Sequence, residues 1–247
     1  MNPIRWIPPP ESAVLVANEV HVWKVPLHAS PPRLAALRDA LSPEEHSRSH
    51  TYRFQEDRQR FVVARGSLRT ILARYLHANP AELYFAVSQI GKPALHPNLN
   101  SRIQFSLSYS GDRAVFALTQ RCDVGVDIEQ IRAECPVDCV AELFFSDQEQ
   151  AMFRSVPACL RHRAFFACWC RKEAVLKALG YGLPLGLHRP EVSMAFREPV
   201  RPLSAHHLAV KAQECSIVDL GLGDEYAGAV ALKMPSPILR YWDSSEI

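Results

Sequence analysis

The chain alternates and winds in turn. V-H-V-W-K-V-P-L, from Val20, alternates like a strand behind a Pro-rich lead. P-P-R-L-A-A-L-R-D-A-L (31–41), L-S-P-E-E-H-S-R-S-H-T-Y-R-F (41–54) and E-D-R-Q-R-F-V-V-A-R-G-S-L-R-T-I-L-A-R-Y-L (56–76) repeat their apolar positions at helical spacing. Ser42-Pro43-Glu44-Glu45 reads as a helix start, with a capping hydroxyl, proline in the first turn and acids behind it. L-Y-F-A-V-S (83–88) returns to alternation, and I-Q-F-S-L-S-Y-S (103–110) with A-V-F-A-L-T (114–119) predicts a hairpin across Gly111-Asp112. G-V-D-I-E-Q-I (125–131) is a further strand. Helices follow over 136–144 and 160–180, then a Gly/Pro loop (180–190) and strands near 191–196, 207–220 and 225–232. Each half thus runs strand, helices, strands, which predicts an α+β fold of two similar lobes.

Within G-V-D-I-E, Val126 and Ile128 share one face while Asp127 and Glu129 share the other. Two carboxylates on one face suit a cation, and they equally suit the wet face of a half-buried strand. The helix at 160–180 offers a third acid. Phe165, Trp169, Leu176 and Leu179 form its apolar stripe, Glu173 and Lys177 lie one turn apart along the edge, and Lys172 falls nearer the middle. For Lys172 the pattern predicts a packed stem with the amine reaching outward. The bland reading of Glu173 and Lys177 is an ordinary helical ion pair. If Glu173 instead faces the strand acids, each carboxylate pair at about 4 Å repels by roughly 4 kcal/mol, and the cluster calls for a divalent ion. An all-oxygen set points to Mg²⁺ or Mn²⁺.

Composition narrows the class. With 48% hydrophobic and 22% charged residues in 247, the chain reads as globular, without a membrane-spanning run. The start M-N-P-I-R-W-I-P-P-P lacks the features of a secretion signal, so a cytoplasmic protein is expected. Seven cysteines without a C-x-x-C predict reduced, packed thiols, and Cys168, Cys170 and His162 match no zinc spacing. A net charge of +2 argues against nucleic acid, but it is uneven: seven arginines lie between Arg48 and Arg74, and residues 121–150 hold eight acids against Arg121 and Arg132. One stretch suits anions and the other cations.

G-V-D-I-E followed by W-x-x-K-E-A-x-x-K (169–177) closely resembles the signature pair of the 4′-phosphopantetheinyl transferases, in the single-chain Sfp type. The resemblance spans L-S-P-E-E (41–45), the arginine-rich helix, G-K-P (91–93), F-S-L-S-Y-S-G (105–111), L-F-F-S-D-Q-E (143–149) and G-Y-G-L (180–183). It implies two lobes related by a pseudo-twofold, 1–116 and 117–247, each a small, mostly antiparallel sheet on helices, with coenzyme A in the cleft. It implies transfer of the phosphopantetheine arm of coenzyme A to a serine of an apo carrier protein of fatty-acid, polyketide or peptide assembly, by a monomer. Asp127, Glu129 and Glu173 would hold Mg²⁺, Glu173 would act as base, and Lys177 would stand near the pyrophosphate. Arg48, Arg60, Lys92 and Ser108 fall at coenzyme A-binding positions. Tyr109 departs from the histidine common there, and Glu45 from a lysine. Glu149 is expected to serve a helix start or salt bridge. The same acids in a Mg²⁺-dependent phosphodiesterase, or in a non-catalytic carrier- or coenzyme A-binding relative, are the alternatives; carrier-dependent release of 3′,5′-ADP separates them.

Overall fold

The structure, a computed structural model, describes residues 4–87, 92–180, 190–194, 202–204 and 216–245. Gly91 of G-K-P, residues 181–183 of G-Y-G-L with the loop to 189, residues 195–196 and 207–215 of the expected strands, and Cys215 lie outside these.

Four layers hold the molecule together. The first sheet contains β1 (Glu19–Pro26), β4 (Ile103–Ser110), β5 (Arg113–Gln120) and β11 (Ile238–Asp243), in the order β11-β1-β5-β4. All its pairings are antiparallel except β1 with β11. The second sheet is antiparallel, β6 (Val124–Gln130), β10 (Tyr226–Leu232) and β9 (Ser216–Asp219), in the order β6-β10-β9. Two ribbons, β2 (Phe85–Val87) with β3 (Pro93–Leu95) and β7 (Glu191–Val192) with β8 (Pro202–Ser204), stand apart from them.

Period-two alternation with both faces apolar explains the stacking. In the first sheet Trp23, Val25, Phe116 and Leu118 face α3 (Gln55–Leu76), meeting Val62, Leu68 and Leu72. The alternate residues Val20, Val22, Val115 and Ala117 face the second sheet and meet Val126, Ile128, Val230 and Leu232. Behind these, Ala227, Ala229 and Ala231 accept α6 (Arg161–Leu179). This is the expected α+β architecture of small, mostly antiparallel sheets packed on helices. β5 runs through residues 116 and 117 without a break, and β11, which the sequence reading did not foresee, brings the last strand back onto β1.

Among the helices α1 (Pro31–Asp39) and α3 match the pattern closely, whereas α2 (Pro43–Ser49) stops short of residue 54. Its closing carbonyls are taken by hydroxyls, Ser49 on His46 and Thr51 on Arg48, which offer the backbone an alternative to a further turn. α4 (Val137–Phe144) is as expected, and α5 (Asp147–Arg154) starts on a capping box in which Ser146 and Glu149 bond each other's backbone N–H.

Candidate active site

Gly125 sets the separation between β6 and α6. A Cβ there would run into the carbonyl of Ala174 and the amide of Ala178, and would lie 2.9 Å from Lys177 Cβ. The helix backbone therefore rests directly on the strand, on the face that carries Asp127 and Glu129, and so delivers Glu173 and Lys177 to them. Gly125→Ala is expected to cost about 1–3 kcal/mol of stability, the range for overpacking, and to reduce turnover far more than the residual fold predicts. Melting and activity of the same preparation measure the two effects.

Asp127 is buried, and its two oxygens have different fates. Oδ1 accepts from Ser108 Oγ at 2.8 Å and from Lys177 Nζ at 2.7 Å, and the same ammonium donates to Val126 O at 3.1 Å. Oδ2 is buried with no partner, as is Oε1 of Glu173. A buried carboxylate oxygen without a donor is costly, so these two atoms mark where positive charge belongs. Burial pushes the Glu173 carboxyl up to about 7, with the fields of Asp127 and Glu129 adding to it and Lys177 opposing. Glu129 is also raised, by burial first, although Ser110 Oγ donates to its Oε2 at 2.7 Å.

The fields of Asp127 and Glu129 thus both reach Glu173. Among the described residues no three His, Cys, Asp or Glu side chains form a ready metal-binding group; at Asp127 the cationic place is taken by Lys177. The donor set nonetheless fits a hard divalent cation: all-oxygen, anionic, with two oxygens lacking any donor.

Serines stitch this site together. Ser106, Ser108 and Ser110 alternate along β4 and so share one face. Ser106 accepts from Val126 N at 3.1 Å, Ser108 donates to Asp127, and Ser110 donates to Glu129 while accepting from Gln130 N at 3.1 Å. β4 belongs to the first sheet and β6 to the second, so the three hydroxyls fix their relative register. The S-x-S-x-S spacing was the available signal for Ser106 and Ser110, which the sequence reading passed over. Cys170 is buried one turn before Glu173, and burial pushes its thiol far up, with the fields of Asp127 and Glu129 adding to it.

The remaining candidates lie elsewhere. Tyr109 points to the opposite face of β4, half exposed; burial raises its phenol, Tyr52 adds to that, and Arg48 and Arg65 pull it back. Arg48 lies over the Phe61 ring at 5.5 Å. Arg60 stands 3.7 Å from Asp57 on its own helix and joins neither group. Lys92 donates to Val124 O at 3.0 Å and Lys177 O at 2.8 Å, strapping the last turn of α6 to the start of β6; burial lowers its pKa.

Two expectations need correction. Lys172 does not reach outward: it is fully buried, 2.5 Å from Glu149 Oε2 and 2.8 Å from Pro190 O. Glu149, also fully buried, accepts from Ser146 N and Val192 N besides, so the expected helix-start and ion-pair roles both hold. The arginine-rich stretch is only partly open to anions, because Glu45 engages Arg65 and Arg69, both at 2.5 Å, and ties α2 to α3.

Comparison with known proteins adds family relationships. Residues 27–121 match the 4′-phosphopantetheinyl transferase N-terminal family model, and 123–231 match the 4′-phosphopantetheinyl transferase superfamily model. The chain is 33% identical to 4′-phosphopantetheinyl transferase HetI of Nostoc sp., covering 92% of this chain and 93% of the relative. A putative 4′-phosphopantetheinyl transferase of Synechocystis sp. is 30% identical over 85% of each chain. Sfp of Bacillus subtilis is 26% identical over 60% of this chain and 63% of its own.

Proposed function

The chain belongs to the 4′-phosphopantetheinyl transferase superfamily, and we propose that the cluster of Asp127, Glu129, Glu173 and Lys177 carries out that transfer from coenzyme A to a serine of an apo acyl or peptidyl carrier protein. The serine Oγ forms a bond to the phosphorus bearing the pantetheine arm. The bond from that phosphorus to the bridging oxygen breaks, and 3′,5′-ADP leaves with the electron pair.

Asp127, Glu129 and Glu173 would hold Mg²⁺ or Mn²⁺, the reading supported by the donorless oxygens of Asp127 and Glu173. When bound, the ion offsets pyrophosphate charge and polarises the phosphoryl oxygen. Glu173, with its carboxyl near 7, is the proposed base for the serine proton, directly or through water. Lys177 is assigned to the departing oxygen, which it neutralises or protonates. Ser108 and Ser110 hold Asp127 and Glu129 in place. Arg48, Arg60, Lys92, Ser108 and Tyr109 are assigned to coenzyme A, the arginines as forked phosphate ligands.

The two lobes are taken as 1–116 and 117–247, with the first completed by the end of β5 and by β11. We take the enzyme to act as a cytoplasmic monomer. No described helix is long and apolar enough to cross a membrane.

The observation that carries this reading is the meeting, beside β6, of a buried Asp127 paired with Lys177 and a Glu173 whose carboxyl is raised first by burial and then by the neighbouring acids. Incubation with apo carrier domains, coenzyme A and Mg²⁺ should add one phosphopantetheine by intact mass. Carrier-independent release of 3′,5′-ADP would instead favour a phosphodiesterase.

Tyr109 gives a sharper expectation. At neutral pH it offers a phosphate one hydroxyl donor where an imidazolium would offer charge. Tyr109→Phe should weaken coenzyme A by about tenfold, the value of a hydrogen bond to a charged group, and leave 3′-dephospho-coenzyme A unchanged. Tyr109→His should widen the preference for coenzyme A. Equal losses for both donors, or none, would remove Tyr109 from recognition of the 3′-phosphate.

A further inference from the structure

A cavity lies between α1, α3 and the end of β11, and shares no lining residue with the acid cluster. Its volume is about 160 Å³. The apolar part of its wall is Ala36, Leu37 and Ile71; the polar part is Arg33, Ser67, Thr70, Arg74 and Ser244. No Asp or Glu lines it among the described residues.

Three of these five have an unmet requirement. Arg33 Nε, Ser67 Oγ and Arg74 Nη1 are all buried without a hydrogen-bond partner. Ser67 as a whole is only 4% exposed. Among the described residues neither arginine has a carboxylate within ion-pair reach, although Arg33 Nη2 donates to Ser244 O at 3.3 Å and Arg74 stacks over Trp23 at 5.9 Å. Two cations and a hydroxyl line one small space, each with one buried polar atom left unpaired, a costly arrangement that an oxyanion would relieve. The apolar wall adds a second requirement. A cavity of about 150 Å³ lined by apolar side chains accommodates a benzene ring, so the space matches a ring or branched chain attached to the anion better than a bare inorganic ion.

We propose that this cavity is a binding site for a small organic carboxylate with an apolar body, held by Arg33, Arg74 and Ser67 and packed against Leu37 and Ile71. A carboxylate presents two oxygens to the guanidinium groups, in the geometry arginine forks favour. An occupant would bridge α1, α3 and the chain's last strand, and would stabilise the folded protein by linkage.

Benzoate is the probe, with benzyl alcohol as its uncharged counterpart and inorganic phosphate as the bare oxyanion. Titration calorimetry on the full chain should show benzoate binding with Kd below about 10 mM. Benzyl alcohol and phosphate should each bind at least tenfold more weakly. Arg33→Gln and Arg74→Gln should each weaken benzoate about tenfold or more, while Arg38→Gln, on α1 outside the cavity, should not. Ser67→Ala separates binding from structure: it removes a hydroxyl that bonds nothing in the free protein, so melting should not fall while benzoate affinity drops several-fold. The proposal is overturned if benzoate fails to bind in this range, if benzyl alcohol or phosphate binds as well, or if Ser67→Ala leaves the affinity unchanged. The wild-type comparison and Ser67→Ala decide the matter even if an arginine variant does not fold.

Discussion

Glu173→Gln is expected to lower phosphopantetheine transfer on the order of 10³-fold, within the range for loss of a positioned base, while the protein becomes more stable. Both effects have one origin. The carboxyl is buried against Asp127 and Glu129, so ionising it in the folded protein is resisted and its pKa sits near 7. An acid raised on folding destabilises the folded state where it is ionised: the cost is absent below the unfolded value of about 4.5, grows as pH rises, and is complete above about 7. Glutamine keeps the shape without the charge. Measured with chelator present, the melting gain should therefore be largest at pH 8 and vanish near pH 4.5. Added Mg²⁺ should raise the melting temperature of the wild type and do so less for the variant, which reports the metal role independently of catalysis. A variant that retains transfer within tenfold of wild type would remove Glu173 as base.

The sequence exposed this site unevenly, and the reasons are physical. Asp127 and Glu129 could be placed on one face because strand alternation is local. Helical spacing likewise put Glu173 and Lys177 on one edge. That those edges meet depends on Gly125, whose missing Cβ admits the α6 backbone, and a glycine within a strand does not announce which neighbour comes close. Lys172 was misread for a similar reason. Its position on the helix wheel was correct, but its partner Glu149 is 23 residues earlier and on another helix, so nothing local distinguished burial from solvation. Glu45 hides two arginines of an apparently free basic stretch across separations of 20 and 24 residues. β11 was missed because its six residues follow a Pro-rich turn and pair with β1, more than two hundred residues away.

Lys172→Met is the substitution with the largest expected effect on stability. The Lys172–Glu149 pair is fully buried, and removing the ammonium leaves a carboxylate in the core without its counter-charge. Breaking such a pair from one side costs about 3–5 kcal/mol, which for a chain of this size lowers the melting temperature by roughly 10 °C. Glu149 cannot escape by turning to solvent, because it is also bound by Ser146 N and Val192 N and holds the start of α5 beside β7. The ammonium is held in turn by the Pro190 carbonyl, so the lost charge also loosens the chain just before β7. Lys172 precedes Glu173 directly. A rotation of α6 that lets the orphaned carboxylate find water would carry Glu173 away from Asp127, and transfer should fall even well below the melting temperature. The double variant Lys172→Met with Glu149→Gln removes the buried charge and gives up one backbone bond, because the single amide oxygen of glutamine replaces two carboxylate oxygens that accept separately from Ser146 N and Val192 N. It should be more stable than Lys172→Met alone, the sign expected if the penalty is electrostatic. If the double variant is instead the less stable of the two, the backbone bonds accepted by Glu149 outweigh its unpaired charge, and the electrostatic penalty is not what governs the loss.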